Sequence, residues 1–280
     1  MCDKFFESVG ITEDALYCGK GAFNVVHQFG ETVEGGFVNH FILTQFFRKY
    51  SREQDNARAL LILNHHNAAH WTSIANKLGT NISTLQGNGK LIVIDVLKEI
   101  YEKLKIGQTS SASDPIDLNN LFTRCQQTIQ DFRKGGSNKI VVIIDDLSDI
   151  LSADDGSSDS SFEESEKKLM EFLLKLKALS IQCHEDNACA VAITSLVNSP
   201  EISTDSNELT RFAKSVSQRL PSLLFEVAPL STGFSSNVTG FLKVVYKPRK
   251  RDGTNKVIEK AFIKNYHFKL DSNGARVTPL

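Results

Sequence analysis

The feature that most constrains this sequence is a series of short, largely apolar runs, each bounded by polar or glycine-containing turns. Four of them occupy residues 59–63, 90–96, 139–144 and 188–196. Runs of this length without polar alternation are typical of strands that are buried on both faces of a sheet. Segments with helical spacing separate them, as at residues 118–132. The pattern predicts an α/β fold with a mostly parallel sheet flanked by helices.

The C-terminal tail has a different pattern. Residues 241–246 and 261–270 alternate apolar and polar side chains, and a basic turn with Asp252 and Gly253 separates them. This pattern predicts a C-terminal antiparallel β-hairpin at one edge of the sheet. The length of 280 residues suits one large domain, so we expect a single domain over residues 1–280. Residues 152–165 are rich in Ser, Asp and Gly and are predicted to form a mobile acidic loop.

Composition narrows the class of protein. A formal net charge of −1 argues against a protein that binds nucleic acid on its own. Five cysteines without a C-x-x-C pair indicate reduced thiols in a cytosolic or nuclear protein. No apolar run is long enough to span a bilayer. We therefore expect a soluble cytoplasmic protein that can also be nuclear, with no membrane partner.

A degenerate phosphate loop follows the first predicted strand, at residues 23–29. A working loop reads G-x-x-x-x-G-K-[ST], in which the lysine reaches the outer phosphates and the hydroxyl holds magnesium. Gly30 and Gly35 keep the spacing, but Gly36 replaces the lysine and Phe37 replaces the hydroxyl. We interpret the segment as a strand-to-helix turn and predict no nucleotide cofactor.

Two adjacent carboxylates end the apolar strand at residues 139–144. Asp145 and Asp146 stand where the metal-binding strand of a P-loop NTPase ends, although aspartate also caps turns at such positions. In RecA-like ATPases a catalytic carboxylate commonly follows the strand equivalent to residues 59–63, and here Asn64 and His65 stand instead. We interpret the pair as degenerate metal-strand carboxylates with a structural role, and we predict no catalytic residues.

Three histidines, His65, His66 and His70, cluster after the strand at residues 59–63. His66 and His70 are four residues apart, a spacing that suits zinc on a helix. Neither a cysteine nor an H-E-x-x-H pattern completes a tetrahedral site. We favour a surface or capping cluster and predict no metal site.

A basic run, Lys247, Arg249, Lys250 and Arg251, lies at the tip of the predicted hairpin. Such a tip can contact nucleic-acid phosphates. It can equally be a solvated turn whose charges prevent sheet aggregation. Both readings stay open on the residues alone.

Three segments, residues 141–152, 230–242 and 71–93, resemble the Elongator complex protein 6 family. Residues 141–152, Val-Val-Ile-Ile-Asp-Asp-Leu-Ser-Asp-Ile-Leu-Ser, are similar to that family's h-h-h-h-D-D-L-S-x-h-L-S. Residues 230–242 are similar to its more specific L-x-T-G-F-x-x-x-V-x-G-x-L segment, and residues 71–93 match more loosely. With the order of elements, the resemblance spans nearly the whole chain. The stretch at 152–165 departs from it by being longer and more acidic.

The resemblance implies a RecA-like fold and a place in a larger assembly. Elongator subunits four, five and six are similar domains that form a heterohexameric accessory ring, and this ring binds tRNA. A different Elongator subunit, which belongs to the catalytic subcomplex and not to the ring, modifies the wobble uridine. The resemblance thus implies a non-catalytic ring subunit whose partners are paralogous subunits four and five, the catalytic subcomplex, and tRNA. Lys247, Arg249, Lys250 and Arg251 become candidate tRNA contacts.

An alternative is an active RecA-class NTPase related to the recombination paralogues. The pair Asp145 and Asp146 favours this alternative, whereas Gly36 and Phe37 argue against it.

Overall fold

The structure, a computed structural model, describes most of the chain. The described residues are 2–30, 32–50, 56–105, 116–152, 162–185, 189–199, 207–231, 235–247, 261–271 and 274–280.

Within these ranges the chain alternates strands and helices. The strands are β1 Phe23–Phe29, β2 Arg58–Leu63, β3 Leu91–Asp95, β4 Lys139–Asp145, β5 Ala190–Ser199, β6 Leu223–Ala228, β7 Gly240–Tyr246, β8 Phe262–Asp271 and β9 Gly274–Pro279. The helices are α1 Cys2–Ser8, α2 Phe37–Lys49, α3 Ala68–Lys77, α4 Ile82–Gly87, α5 Val96–Lys105, α6 Leu118–Lys134, α7 Leu147–Ser152, α8 Phe162–Glu185 and α9 Glu208–Arg219. A π-helical turn covers Asp14–Cys18.

The described strands form one sheet in the order β3-β2-β4-β5-β1-β6-β7-β8-β9. The pairs from β3 to β6 are parallel, and the pairs from β6 to β9 are antiparallel. The predicted α/β class, with a mostly parallel sheet flanked by helices, is confirmed. The predicted hairpin is confirmed as β7 and β8, and β9 adds a third antiparallel strand that the sequence analysis did not foresee.

Side chains that alternate along the central strands fill two layers of core. In β4, Val141 and Ile143 pack on one face of the sheet, while Val142 and Ile144 pack on the other. All four side chains are buried, which explains why this strand has no polar alternation. Helices α1 to α3 contribute to the first layer, and α6, α8 and α9 contribute to the second.

Side-chain caps set the starts of several helices. The Asp117 carboxylate accepts hydrogen bonds from the backbone N–H groups of Asn119 and Asn120, both at 3.0 Å, so α6 begins where the sequence predicts. The predicted loop at residues 152–165 is too long at both ends, because α7 includes Ser152 and α8 begins at Phe162. Residues 153–161 lie outside the described residues. No helix in the described ranges has the length and apolar character needed to cross a membrane.

Candidate functional site

The carboxyl ends of the parallel strands bring the predicted phosphate loop and the aspartate pair to one edge of the sheet. In the parallel register of β2 and β4, Leu63 lies beside Asp145. In the register of β1 and β5, Phe29 lies beside Ser199, so Gly30 also emerges at this edge. This is the edge at which open α/β sheets bind ligands.

The side chain of Gln28 spans the degenerate phosphate loop. Its Oε1 accepts a 2.5 Å hydrogen bond from the backbone N–H of Gly35, and its Nε2 donates to the carbonyl of Gly30 at 3.1 Å. In a working loop the backbone N–H groups point at phosphate oxygens. Here the side-chain amide of Gln28 accepts from one of those N–H groups, so a protein side chain occupies a donor that would otherwise face phosphate.

The two glycines that keep the phosphate-loop spacing have structural reasons of their own. Gly30 has a φ of +71°, in the left-handed region that favours glycine. A Cβ on Gly35 would lie 3.2 Å from Cβ and Oε1 of Gln28, a distance that requires the neighbour to move. The spacing is therefore explained by the turn itself, without a phosphate.

Phe37 is the first residue of α2 and belongs to the core. Its side chain is 8% exposed. Its ring makes edge contacts with Phe5 and Phe41, at centroid distances of 5.8 and 5.6 Å, and a tilted contact with Phe268 at 5.2 Å. A position that holds magnesium through a hydroxyl in active enzymes thus fixes α2 against α1 and β8.

Asp145, the last residue of β4, is 1% exposed and hydrogen-bonded on Oδ2. The indole N–H of Trp71 donates at 2.9 Å, and Nδ1 of His66 lies 3.3 Å away. Burial alone would raise the pKa of this carboxyl, but the hydrogen bonds from His66 and Trp71 outweigh burial and lower it. Asp145 is therefore ionised at neutral pH and anchored to the segment around α3.

Asp146 is fully buried, and its pKa shifts in the opposite direction. Its Oδ1 accepts from the backbone N–H of Ser148 at 2.8 Å, and its Oδ2 pairs with the side-chain amide of Asn198. Burial raises the pKa of Asp146 well above the usual value, and the neighbouring carboxylates of Asp149 and Asp145 raise it further. The pKa values of the two carboxyls thus shift in opposite directions, and both side chains are hydrogen-bonded within the fold.

The histidine cluster lies beside these aspartates. The rings of His66 and His70 stack with a centroid distance of 4.0 Å and an interplanar angle of 11°. His65 instead contacts the carboxylate of Asp149, with 2.6 Å between Nδ1 and Oδ2. Nε2 of His66 lies 3.8 Å from Oε1 of Glu34, which the sequence analysis treated only as part of the loop.

Lys247, the described member of the predicted basic tip, lies at the other edge of the sheet. It follows β7, is exposed, and donates its backbone N–H to the carbonyl of Ser222 at 2.7 Å. Ser222 precedes β6 and bonds in turn to Phe23 at the start of β1. Arg249, Lys250 and Arg251 lie outside the described residues. The basic tip therefore begins on the opposite side of the sheet from the aspartate pair.

Sequence reasoning did not assign the roles of Gln28 and Trp71, although each carries a signal. Gln28 is a polar residue two positions before the first loop glycine, in a strand whose other residues are mostly apolar. Trp71 is the single tryptophan of the chain and is 1% exposed. A buried indole N–H requires an acceptor, and Asp145 supplies it.

Comparisons with known proteins agree with this geometry. The sequence model of one protein family, described as Elongation complex protein 6, matches residues 11–271. Elongator complex protein 6 of Xenopus laevis is 26% identical over 247 residues, which cover 85% of this chain and 83% of the relative.

Two solved structures from Pyrococcus horikoshii share the fold. An uncharacterized protein in complex with an unknown peptide has a TM-score of 0.62 at 9% identity, over 99% of this chain and 97% of its own. A KaiC-like protein has a TM-score of 0.53 at 14% identity, over 95% of each chain. At these identities the likeness shows the fold alone, and the predicted RecA-like fold is confirmed.

Proposed function

The chain belongs to the Elongation complex protein 6 family, and from this premise we propose that it is a non-catalytic subunit of Elongator. In this proposal it pairs with paralogous subunits four and five in a heterohexameric ring. The ring binds tRNA and serves the catalytic Elongator subcomplex in wobble-uridine modification. Residues 1–280 act as a single RecA-like domain, in the cytoplasm and also in the nucleus.

The observation that carries the non-catalytic assignment is the packing of Phe37. Its ring stands in an aromatic cluster with Phe5, Phe41 and Phe268, where an active loop would offer a hydroxyl to magnesium. The amide of Gln28 closes the same loop. These contacts give the loop a structural purpose, which supports assembly over hydrolysis. Nothing in the geometry of Asp145 or Asp146 favours the alternative of an active NTPase.

Apolar side chains at the β3 edge support a role in assembly. Ile92 on β3 is 38% exposed, and Leu97 and Tyr101 on α5 are 39% and 59% exposed. β3 ends the sheet, so one row of its backbone hydrogen-bonding groups faces outward. An exposed apolar edge of this kind is typical of a surface that a partner covers. We assign it to a contact with a paralogous subunit.

Co-expression with subunits four and five, followed by mass measurement of the purified complex, tests the assembly. We expect a heterohexamer with the wild-type chain and reduced assembly with Ile92→Lys and Tyr101→Ala together. Leu174→Lys on α8 is a matched control, because Leu174 is also exposed, at 51%. A stable monomer that ignores both paralogues would contradict the proposal.

The tRNA role is assigned to the basic tip. Changing Arg249, Lys250 and Arg251 to Ala removes three positive charges from the tip. If the tip contacts phosphates, the plot of log affinity against log salt concentration should become shallower in the variant. The magnitude of its negative slope should decrease by about 2. Assembly should be unchanged, since Lys247, the described member of the tip, follows β7, and β7 lies far from β3 in the strand order.

A charge-matched control separates phosphate contact from net charge. Changing the exposed residues Lys20, Lys134 and Lys167 to Ala removes the same charge from positions outside β3 and α5. The control ring should keep the wild-type salt slope, and each ring should first be shown to assemble. Equal salt slopes for the tip variant and the wild-type ring would refute phosphate contact by the tip.

A further inference from the structure

Three potential metal ligands converge beside the degenerate phosphate loop. They are Glu34, His66 and His70, and one ligand atom from each lies within 4.8 Å of the others. Glu34 comes from the loop before α2, while His66 follows β2 and His70 lies in the first turn of α3. Two imidazoles and one carboxylate form the ligand set of several three-ligand zinc sites, in which water completes the coordination.

The orientation of His66 is that of a metal ligand with a supporting partner. Its Nδ1 faces the buried carboxylate of Asp145 at 3.3 Å, and its Nε2 faces Glu34 at 3.8 Å. Zinc-binding histidines commonly donate one ring N–H to a carboxylate and coordinate through the other nitrogen. Asp145, held also by Trp71, would fix the tautomer of His66 so that Nε2 is free for an ion.

His70 supplies the second imidazole at a fixed position. The side chain of Asn67 caps α3 by accepting from the backbone N–H of His70 at 2.9 Å. Nε2 of His70 is buried and has no hydrogen-bond partner among the described residues. A buried ring nitrogen without a partner is a cost that coordination would remove.

Binding requires Glu34 to approach and the stacked rings of His66 and His70, whose planes are inclined by only 11°, to tilt so that one nitrogen of each points at the ion. Tetrahedral zinc with bonds of about 2.0–2.1 Å places its ligand atoms roughly 3.3 Å apart. The carboxylate of Glu34 is half-exposed, at 52%, and can rotate toward His66 without disturbing the core.

We propose that Glu34, His66 and His70 bind a divalent transition-metal ion of the zinc class, with water in the remaining position and Asp145 supporting His66. The ion would connect the loop before α2 to the β2–α3 segment. It would stabilise the edge of the sheet that binds phosphate in active relatives of this fold. The site is independent of the proposed assembly role, since it forms within one chain.

Zinc titration of the untagged, metal-stripped chain in competition with a chromophoric chelator tests the site. We expect one Zn²⁺ with a Kd in the micromolar range or tighter, and at least tenfold weaker binding for Glu34→Gln and His70→Gln. At a free Zn²⁺ concentration of 100 times the Kd, the free energy of unfolding should rise by about 2.7 kcal/mol and the melting temperature by about 5 °C. His65→Gln is the matched control, because His65 pairs with Asp149 instead.

Cobalt substitution distinguishes this site from the thiols of the chain. Co²⁺ bound to nitrogen and oxygen should give visible d–d absorption without the intense thiolate charge-transfer band of a cysteine site. Glu34→Gln leaves the core intact, so it keeps the test valid if His70→Gln does not fold. Equal affinity in wild type and Glu34→Gln, a thiolate spectrum, or no zinc binding below 100-fold molar excess would each overturn the proposal.

Discussion

Replacing Phe37 with threonine, the residue that an active phosphate loop would carry, should destabilise the protein. Truncating a buried phenylalanine in a core costs about 3–5 kcal/mol. The ring of Phe37 is 8% exposed and contacts three other aromatic rings, so nearly all of its packing would be lost. Threonine fills part of the space, and we therefore expect a loss of about 3 kcal/mol in the free energy of unfolding.

The matched substitution Gly36→Lys should be nearly neutral. Gly36 has a φ of −57°, which any residue adopts, and a Cβ there would meet its nearest neighbour, Oε1 of Glu34, at 3.4 Å. The added lysine would lie beside that carboxylate, an exposed pair worth at most about 1 kcal/mol. Restoring the lysine and the hydroxyl together should therefore give a protein that is less stable by the cost of Phe37→Thr alone.

Urea unfolding followed by the fluorescence of Trp71 measures these differences, since Trp71 is the only tryptophan and is buried. With a slope of about 3 kcal/mol per molar urea, Phe37→Thr should lower the midpoint by about 1 M at an unchanged slope. One millimolar MgATP should shift no midpoint, because Gln28 still closes the loop.

A gain of function in the repaired loop would refute this reasoning. Binding with a Kd of 10 μM would raise the stability by about 2.7 kcal/mol at 1 mM nucleotide, close to a 1 M midpoint shift. Such a shift in the wild type would show that the loop binds nucleotide as it stands. The same shift only in the variant that carries both Gly36→Lys and Phe37→Thr would show that Gln28 does not block the phosphate loop.

Two further predictions concern packing and protonation. Gly240→Ala should lower the free energy of unfolding by about 1–3 kcal/mol, because a Cβ there would lie 2.6 Å from the carbonyl of Ala228 and 2.9 Å from the ring of Phe268. Gly87→Ala is the control in the same urea assay, because a Cβ there meets open space and should not destabilise the protein. Burial lowers the pKa of His27 to about 3 in the folded protein. Below pH 6.5 this histidine is therefore protonated in the unfolded chain but stays neutral in the folded chain. Stability should therefore be lost as pH falls from 6.5 towards 3, by about 2 kcal/mol from this group at pH 5. His27→Gln should reduce the pH slope by that amount, and an unchanged slope would contradict the assignment.

The strands that are easiest to predict from the sequence are those that are buried on both faces, because burial restricts their residues to apolar types. The central residues of β2 and β4 are buried on both faces of the sheet, so they are apolar without alternation and the run is visible in the sequence. β9 lies at the edge of the sheet and buries only Ala275 fully. An edge strand with little burial has no required pattern, which is why Gly274–Pro279 was not predicted.

The site was harder to predict because its contacts cross the chain order. Asp145 and His66 are 79 positions apart, and they meet because β4 lies beside β2 in the sheet. The sequence shows that both residues follow apolar strands, but it does not show which strands are neighbours. Glu34 reaches His66 and His70 from the loop after β1, although β4 and β5 separate β1 from β2 in the sheet. Strand order, rather than residue type, was the missing information.

At the carboxyl ends of the parallel strands, where an active phosphate loop binds an anion, this chain favours a cation. A triphosphate approaching it would meet Glu34 and the ionised Asp145, with no lysine at Gly36 to offset their repulsion. A cation would meet two imidazoles and a carboxylate. Returning the loop to phosphate binding would thus require changes at Gln28 and Glu34 as well as at Gly36 and Phe37. Because Gln28 closes the loop and Phe37 fixes α2, hydrogen bonding and packing maintain the shape of this edge without a nucleotide.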